Sequence, residues 1–462
     1  MVENWKREWK PALAIIAGFL VFYWLPLGWE RFNHAVLEAL TLARWYAREH
    51  VLLCLIPAFF IAGAIGVFIG QNTVMKYFGA KAKKWVSYSV ASVSGAILAV
   101  CSCTVLPLFG SIYMRGAGLG PAIAFLYSGP AINVLAVVLT ARVLGWQLGV
   151  ARAAGAIIFS IFIGLAMHFI FLKEERAKAD QAQDIVLDED EQDRPLWQVG
   201  LYFFSMVGIL VFANWGEPAE PAGIWYALYN AKWMLTGAFA VLLGICIWRF
   251  FNLSLLQVTV AALPALFLAA AFPGYPEAAF TAGAVGLGVL TSLGGSELRE
   301  WRDQSWEFAK RILPLLFIGV LAAGFFLGTP ESADTGIIPN VWIEALVGDS
   351  PAQLMHLISG PDVAAPTWLK TIWPVWTNFF ASIAAALMYF ATLTEVPILR
   401  GLLDSGMGQG PALALLLAGP ALSMPNMLVI NAVLGIRKTL AFIALVVFSA
   451  TIAGFVYGVI VG

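Results

Sequence analysis

Two thiols one residue apart, Cys101-Ser102-Cys103, are followed directly by Thr104 and shortly afterwards by Pro107. Thiolates select soft, thiophilic centres such as trivalent arsenic or Cu(I). Side chains at i and i+2 diverge on a regular helix, so both sulfurs reach one ligand only if the backbone unwinds. Pro107 and the glycines after it predict such an interruption. The alternative is that cysteine in apolar sequence packs as a small hydrophobe, the reading adopted for Cys54 and Cys246. A second candidate is Glu395, in Thr392-Leu393-Thr394-Glu395-Val396-Pro397. A carboxylate at a break inside a membrane must face a cavity or a partner, where it can carry a proton. Alternatively the segment ends there, with Glu395 at the cytoplasmic interface beside Arg400. A third set follows two Gly-Pro pairs: Ser128, Gly129, Pro130 and Asn133, then Gly419, Pro420, Ser423 and Asn426. Opened backbone there would turn amides and a half-helix N-terminus toward an anionic or electron-rich group. The competing reading is that these polar side chains only hydrogen-bond between helices.

These candidates sit in a pattern written twice, 290 residues apart and without a gap. Pro107, Gly116, Gly118, Gly120-Pro121 and Gly129-Pro130 recur as Pro397, Gly406, Gly408, Gly410-Pro411 and Gly419-Pro420. Thr104 and Thr394 keep the same offset, as do Leu144-Gly145 and Leu434-Gly435, and Gly164 and Gly454. Paired Gly/Pro-interrupted apolar segments in two halves point to a transporter substrate site. The second copy places Ala391 and Leu393 opposite the cysteines and Val105 opposite Glu395, so any thiol site is asymmetric.

Composition fixes the solvent. The 462 residues are 60% hydrophobic and 12% charged, about half the charge of a soluble domain, with a mean hydropathy of +0.82. Apolar segments near 11–29, 51–70, 87–109, 119–140, 146–172, 196–214, 231–250, 254–272, 277–293, 311–328, 371–393, 411–434 and 439–461 suit membrane helices. The fold expected is an all-α polytopic membrane protein, with about ten or more spans in two inverted repeats and broken or re-entrant segments. Its parts are an N-terminal helix and connector (1–50), a first membrane repeat (51–172), a polar linker (173–195), intervening helices (196–295) and a second repeat (296–462).

Basic residues near 76–84 and 299–311 put those connections and the N-terminus in the cytoplasm, whereas 215–230 and 329–368, which contain no Lys or Arg, face outside. Helices 51–70 and 311–328, alike in Pro57-Ala-Phe-Phe-Ile and Pro314-Leu-Leu-Phe-Ile, then run in opposite directions. If every segment from 87 to 172 crosses completely, the linker falls on the wrong side. One re-entrant or broken element per repeat repairs the parity, and the Gly/Pro blocks are where irregular backbone would be tolerated.

A net charge of −1 recommends no nucleic-acid partner. His34, His50, His168 and His356 show no metal-ligand spacing, and no nucleotide-binding or Ser/His/Asp motif is visible, so neither cofactor nor enzyme activity is expected. Cys101-Ser102-Cys103-Thr104-Val105-Leu106-Pro107, with Gly118-Leu119-Gly120-Pro121 and Ser128-Gly129-Pro130-Ala131-Ile132-Asn133, resembles the predicted permeases of the YraQ/ArsP type. The resemblance implies a bacterial inner-membrane transporter, of a family in which some members export trivalent organoarsenicals, with the cysteines and Gly-Pro turns as its motif. The expected partners are a small-molecule substrate, the lipid bilayer and protons. Two rivals remain: a membrane thiol-redox protein, and a pore or assembly scaffold.

Overall fold

The computed structural model describes the chain outside residues 1–8, 10–11, 14, 17, 21, 69–82, 99–101, 176, 178–194, 217–222, 252, 329–334, 361–364, 388–394, 405 and 462. Among the described residues every regular element is a helix. Helix α1 (Glu30–Tyr46) passes through a π-helical stretch (Ala47–Leu55) into α2 (Ile56–Phe68). Then come α3 (Lys84–Leu98), α4 (Ser102–Met114), α5 (Leu119–Ala131), α6 (Val134–Val143) and α7 (Trp146–Ile170). A middle group, α8 (Leu196–Ala213), α9 (Gly223–Phe250), α10 (Leu255–Ala271) and α11 (Pro276–Leu293), leads into the long α12 (Ser296–Leu327). Short helices α13 (Asn340–Val347) and α14 (Ala352–Ser359) precede α15 (Thr367–Leu387), α16 (Glu395–Asp404), α17 (Gln409–Leu422), α18 (Met424–Leu434) and α19 (Ile436–Val461).

The glycine pattern is realised in backbone. Shifted by 290 residues, α5, α6 and α7 start where α17, α18 and α19 start, and their ends agree within one residue. Gly116 and Gly406, at φ 93° and 99°, close α4 and α16 in the left-handed region where a side chain would be strained. Gly145 and Gly435, at φ 106° and 80°, separate α6 from α7 and α18 from α19. Other matched glycines permit close helix contact. A Cβ on Gly120 would lie 2.9 Å from the carbonyl oxygen of Gly164, and one on Gly410 would lie 2.6 Å from that of Gly454. Tyr88 of α3 wedges against the first glycine pair and Asn378 of α15 against the second, again at corresponding positions. Helices α5 and α17 also touch each other, as do α7 and α19, while α4 packs on α18 and α16 on α6.

Helices α2 and α12, alike in sequence, lie against each other: Trp301 Nε1 donates to the Phe60 carbonyl at 2.7 Å, and Gly63 leaves room for Ser305. Glycines 294 and 295 end α11 and cap α12, with Ser296 as the first helical residue.

Among the described residues, five helical stretches are long and apolar enough to cross a membrane: Val51–Phe68, Trp146–Ile170, Gly223–Phe250, Ser296–Leu327 and Ile436–Val461. The number is seven if each of two bent pairs counts as one span, α5 with α6 bent by 43° and α17 with α18 by 47°. The continuous segment expected over 87–109 divides into α3 and α4, with 99–101 outside the described residues. Large apolar side chains such as Ile224, Met234, Val241, Ile158 and Phe448 point outward. Outward apolar faces on long helices suit lipid rather than water, and the chain is a multi-pass membrane protein.

None of three expected interruptions falls at its proline. Helix α4 runs through Pro107, and the Gly-Pro pairs lie inside α5 and α17 rather than at their breaks. The chain leaves helical geometry at Ile132-Asn133 and at Ser423. Proline has a helix-compatible φ and removes only the bond to the carbonyl four residues back, so the coil continues briefly past it. Breaking follows where the next residues no longer hold the ladder.

Candidate functional site: a buried ion pair at a helix break

At the end of α5 the backbone stops donating to the helix ladder, and a side chain takes over. Arg152, in the second turn of α7 and fully buried, donates from Nε to the Ala131 carbonyl at 3.1 Å. Its Nη1 donates to Thr140 Oγ1 at 2.9 Å. One guanidinium therefore spans the bend, holding the last residue of α5 and the middle of α6. Its Nη2 forms an ion pair with the carboxylate of Glu395, the first residue of α16, which is 1% exposed. Burying both charges is tolerable only because the pair is close, while Nε and Nη1 each donate a hydrogen bond of their own.

Glu395 opens α16 and carries the carboxylate of this pair. The residue is buried, and its carboxylate meets a cation from the other half of the chain. Thr394 lies outside the described residues, as does Cys101, while Cys103 is placed only as backbone in the first turn of α4. The paired-thiol arrangement accordingly falls outside what the structure describes. Thr104 is buried within α4, and Pro107 lies inside the same helix.

The Gly-Pro residues divide between the two bends. Ser128 is fully buried and donates to the Ala91 carbonyl at 3.2 Å, which ties α5 to α3. Asn133 is buried immediately after the break. In the second half Asn426 Nδ2 donates to the Pro420 carbonyl at 3.0 Å, clamping α18 to the end of α17. Asn426 Oδ1 and the fully buried Ser423 hydroxyl find no hydrogen-bond partner among the described residues. A buried polar atom without a partner is uncommon and calls for a water, an ion or a ligand. Gly129, Pro130, Gly419 and Pro420 are all buried in the last turns of α5 and α17. The structure thus unites Glu395 with the first bend through Arg152, and Ser423 with Asn426 at the second.

Arg152 escaped the sequence reading because it stands alone in the apolar stretch 146–172, outside the Gly/Pro blocks. The signal was available: a lone arginine well inside a membrane segment is expensive and marks a functional position. Two further features lie away from the bends. Lys438, at the start of α19 and 4% exposed, donates to Glu175 Oε1 at 2.7 Å, and Tyr113 OH donates to the same oxygen at 3.1 Å. Asp349, Lys370 and Trp373, with Pro351 and Pro374, line a cavity of about 500 Å³. Burial pushes the Asp349 carboxyl above its ordinary range.

Comparison with known proteins adds the following. Residues 36–459 match the family ArsP_1, described as a predicted permease. The UPF0718 protein MJ0584 of Methanocaldococcus jannaschii is 38% identical over 417 residues, which cover 90% of this chain and 93% of that protein. The UPF0718 protein YcgR of Bacillus subtilis is 21% identical over 123 residues, 26% of this chain and 41% of YcgR. No solved structure matches.

Proposed function

Because the chain belongs to the ArsP_1 family of predicted permeases, we propose that it is a secondary transporter, not an enzyme, that moves a small solute across the cytoplasmic membrane through a site at the two helix bends. The observation that carries this reading is the match of two bent pairs, α5–α6 and α17–α18, with a buried charge pair joining the first bend to the opposite half. Bent backbone at membrane depth needs polar partners from protein, water or cargo.

The two halves are inverted repeats in this reading. Lys438 opens α19, yet it meets Glu175, which lies beyond the end of α7. Corresponding helices therefore bring opposite ends together, as a two-fold axis in the membrane plane would require. The cross-packing of α4 on α18 and of α16 on α6 supports the same relation. Counting the shorter apolar helices as crossings gives ten spans; the proposal takes 51–172 and 296–462 as the repeats and, from the Lys/Arg bias and the family resemblance, a cytoplasmic N-terminus in a bacterial inner membrane.

The substrate classes are a thiophilic metalloid or organoarsenical, bound through Cys101 and Cys103, or a small sulfur-containing or organic anion held at the bends. Thr104, Pro107, Ser128, Asn133, Thr394, Glu395, Ser423 and Asn426 complete the proposed site. Uptake into proteoliposomes tests this with methylarsenite and small anions as cargo. Cys103→Ser retains size while removing softness, so it should abolish flux of the arsenical at unchanged protein yield. Full arsenical flux by the Cys101→Ser/Cys103→Ser protein would remove the thiol route, and absence of flux for every cargo would remove the transporter reading.

A further inference from the structure

We propose that Arg152 is an anion-binding residue of this carrier, taking over a carboxylate-like group of the cargo as Glu395 leaves it in protonated form. The inference rests on the transporter reading above and names the anion class of its cargo.

Arg152 has three attachments, and they differ in kind. The Ala131 carbonyl and Thr140 belong to the same half as Arg152, on the two arms of the first bend. Glu395 belongs to the other half and reaches the guanidinium through its carboxylate alone. Motion of one half against the other would leave the first two bonds in place and part the third. A guanidinium with no counter-charge is strongly disfavoured at zero exposure. Another anion must then replace the departing carboxylate, and the planar guanidinium fork favours a group of the same shape.

The charges balance. A proton from the aqueous phase bonds to a Glu395 carboxylate oxygen, the ion pair opens, and the incoming anion takes the vacated donor of Arg152. The buried cluster is neutral before and after, so each anion enters with one proton. Helix α16 packs on α6 and α17, and Arg152 links it to α7. Titratable and charged residues on these elements are Arg142 on α6, none on α17, Arg152 and His168 on α7, and Arg400 and Asp404 on α16 itself. The buried ion pair with Glu395 is made by Arg152. At the repeat-related positions stand Phe442 and Val105, so the second half cannot duplicate the site.

Formate is the probe, because it is a bare carboxylate that stays ionised well below neutral pH. Its binding to purified full-length protein is measured by calorimetry and thermal shift, exchanging formate against chloride at constant ionic strength. Wild-type affinity should rise at least about tenfold from about pH 8 to about pH 5.5, following proton uptake. Glu395→Gln, which mimics the protonated acid, should bind formate with little pH dependence. The Arg152→Gln/Glu395→Gln protein should bind it at least about tenfold more weakly at both pH values. Equal binding by this double variant and by Glu395→Gln would overturn the proposal. Should Glu395→Gln fail to fold, a flat wild-type pH profile overturns it alone. Arg152-dependent formate binding without flux in liposomes would instead count against transport and leave the anion site standing. Flux with Arg152-independent binding would remove the anion site and keep the transporter.

Discussion

Removing Arg152 alone leaves the Glu395 carboxylate buried opposite nothing, whereas removing both charges leaves an apolar contact. Arg152→Met should therefore destabilise the folded protein by about 3–5 kcal/mol, while Arg152→Met/Glu395→Met should fall within about 1 kcal/mol of wild type. Denaturant unfolding in micelles measures both, and equal destabilisation by the single and double variants would contradict a charge-pair origin. Glu395 stood out in the sequence as a candidate carboxylate that needs a partner, but which partner was not legible. Arg400 stands five positions away on the same segment, whereas Arg152 is 243 positions away in sequence. Long-range pairing leaves no local trace, so spacing alone could only suggest the near candidate. Ser423 and Asn426 stood out for a different reason, since they follow a Gly-Pro pair that marks a weakened helix.

Helices meet closely where matched glycines face one another, so methyl groups there must displace backbone. Gly120→Ala and Gly410→Ala should each cost about 1–3 kcal/mol as overpacking. Gly288→Ala in α11, where a Cβ meets nothing within 4 Å, should be neutral or mildly stabilising. Thermal unfolding of the three variants checks the contrast, and a similar loss at Gly288 would show that the effect is not one of close approach. The matching bounds of α5–α7 and α17–α19 were readable because glycine and proline carry backbone information in the residue itself. Left-handed turns at Gly116, Gly145, Gly406 and Gly435 fall on matched positions of the Gly/Pro pattern. The exact break points were not readable. Proline marks where a helix is weakened, but the following residues decide where it stops, which shifted both bends past Pro130 and Pro420.

For the whole molecule, the proposed orientation puts the start of α3 and the 329–368 connection on opposite sides. Single cysteines at Lys84→Cys and Val341→Cys, in a protein otherwise free of cysteine, should label from opposite faces of sealed vesicles with an impermeant maleimide. Labelling of both from one face would sink the topology derived from Lys/Arg bias. The broad architecture was legible because hydropathy is additive along the chain. The number of crossings was less so, because composition does not distinguish a full span from two short helices joined at a bend.

The unequal furnishing of the two halves has a further consequence. In the proposed inverted-repeat reading the second orientation is reached by exchanging shapes, so the contact made by Arg152 and Glu395 would pass to Phe442 and Val105. One orientation is then fastened by charge and the other only by grease. An empty carrier would rest in the fastened orientation, and idle return would be slow until cargo and proton undo the clasp. The membrane would thereby be protected from leak by a single latch built into one side of a nearly symmetric machine.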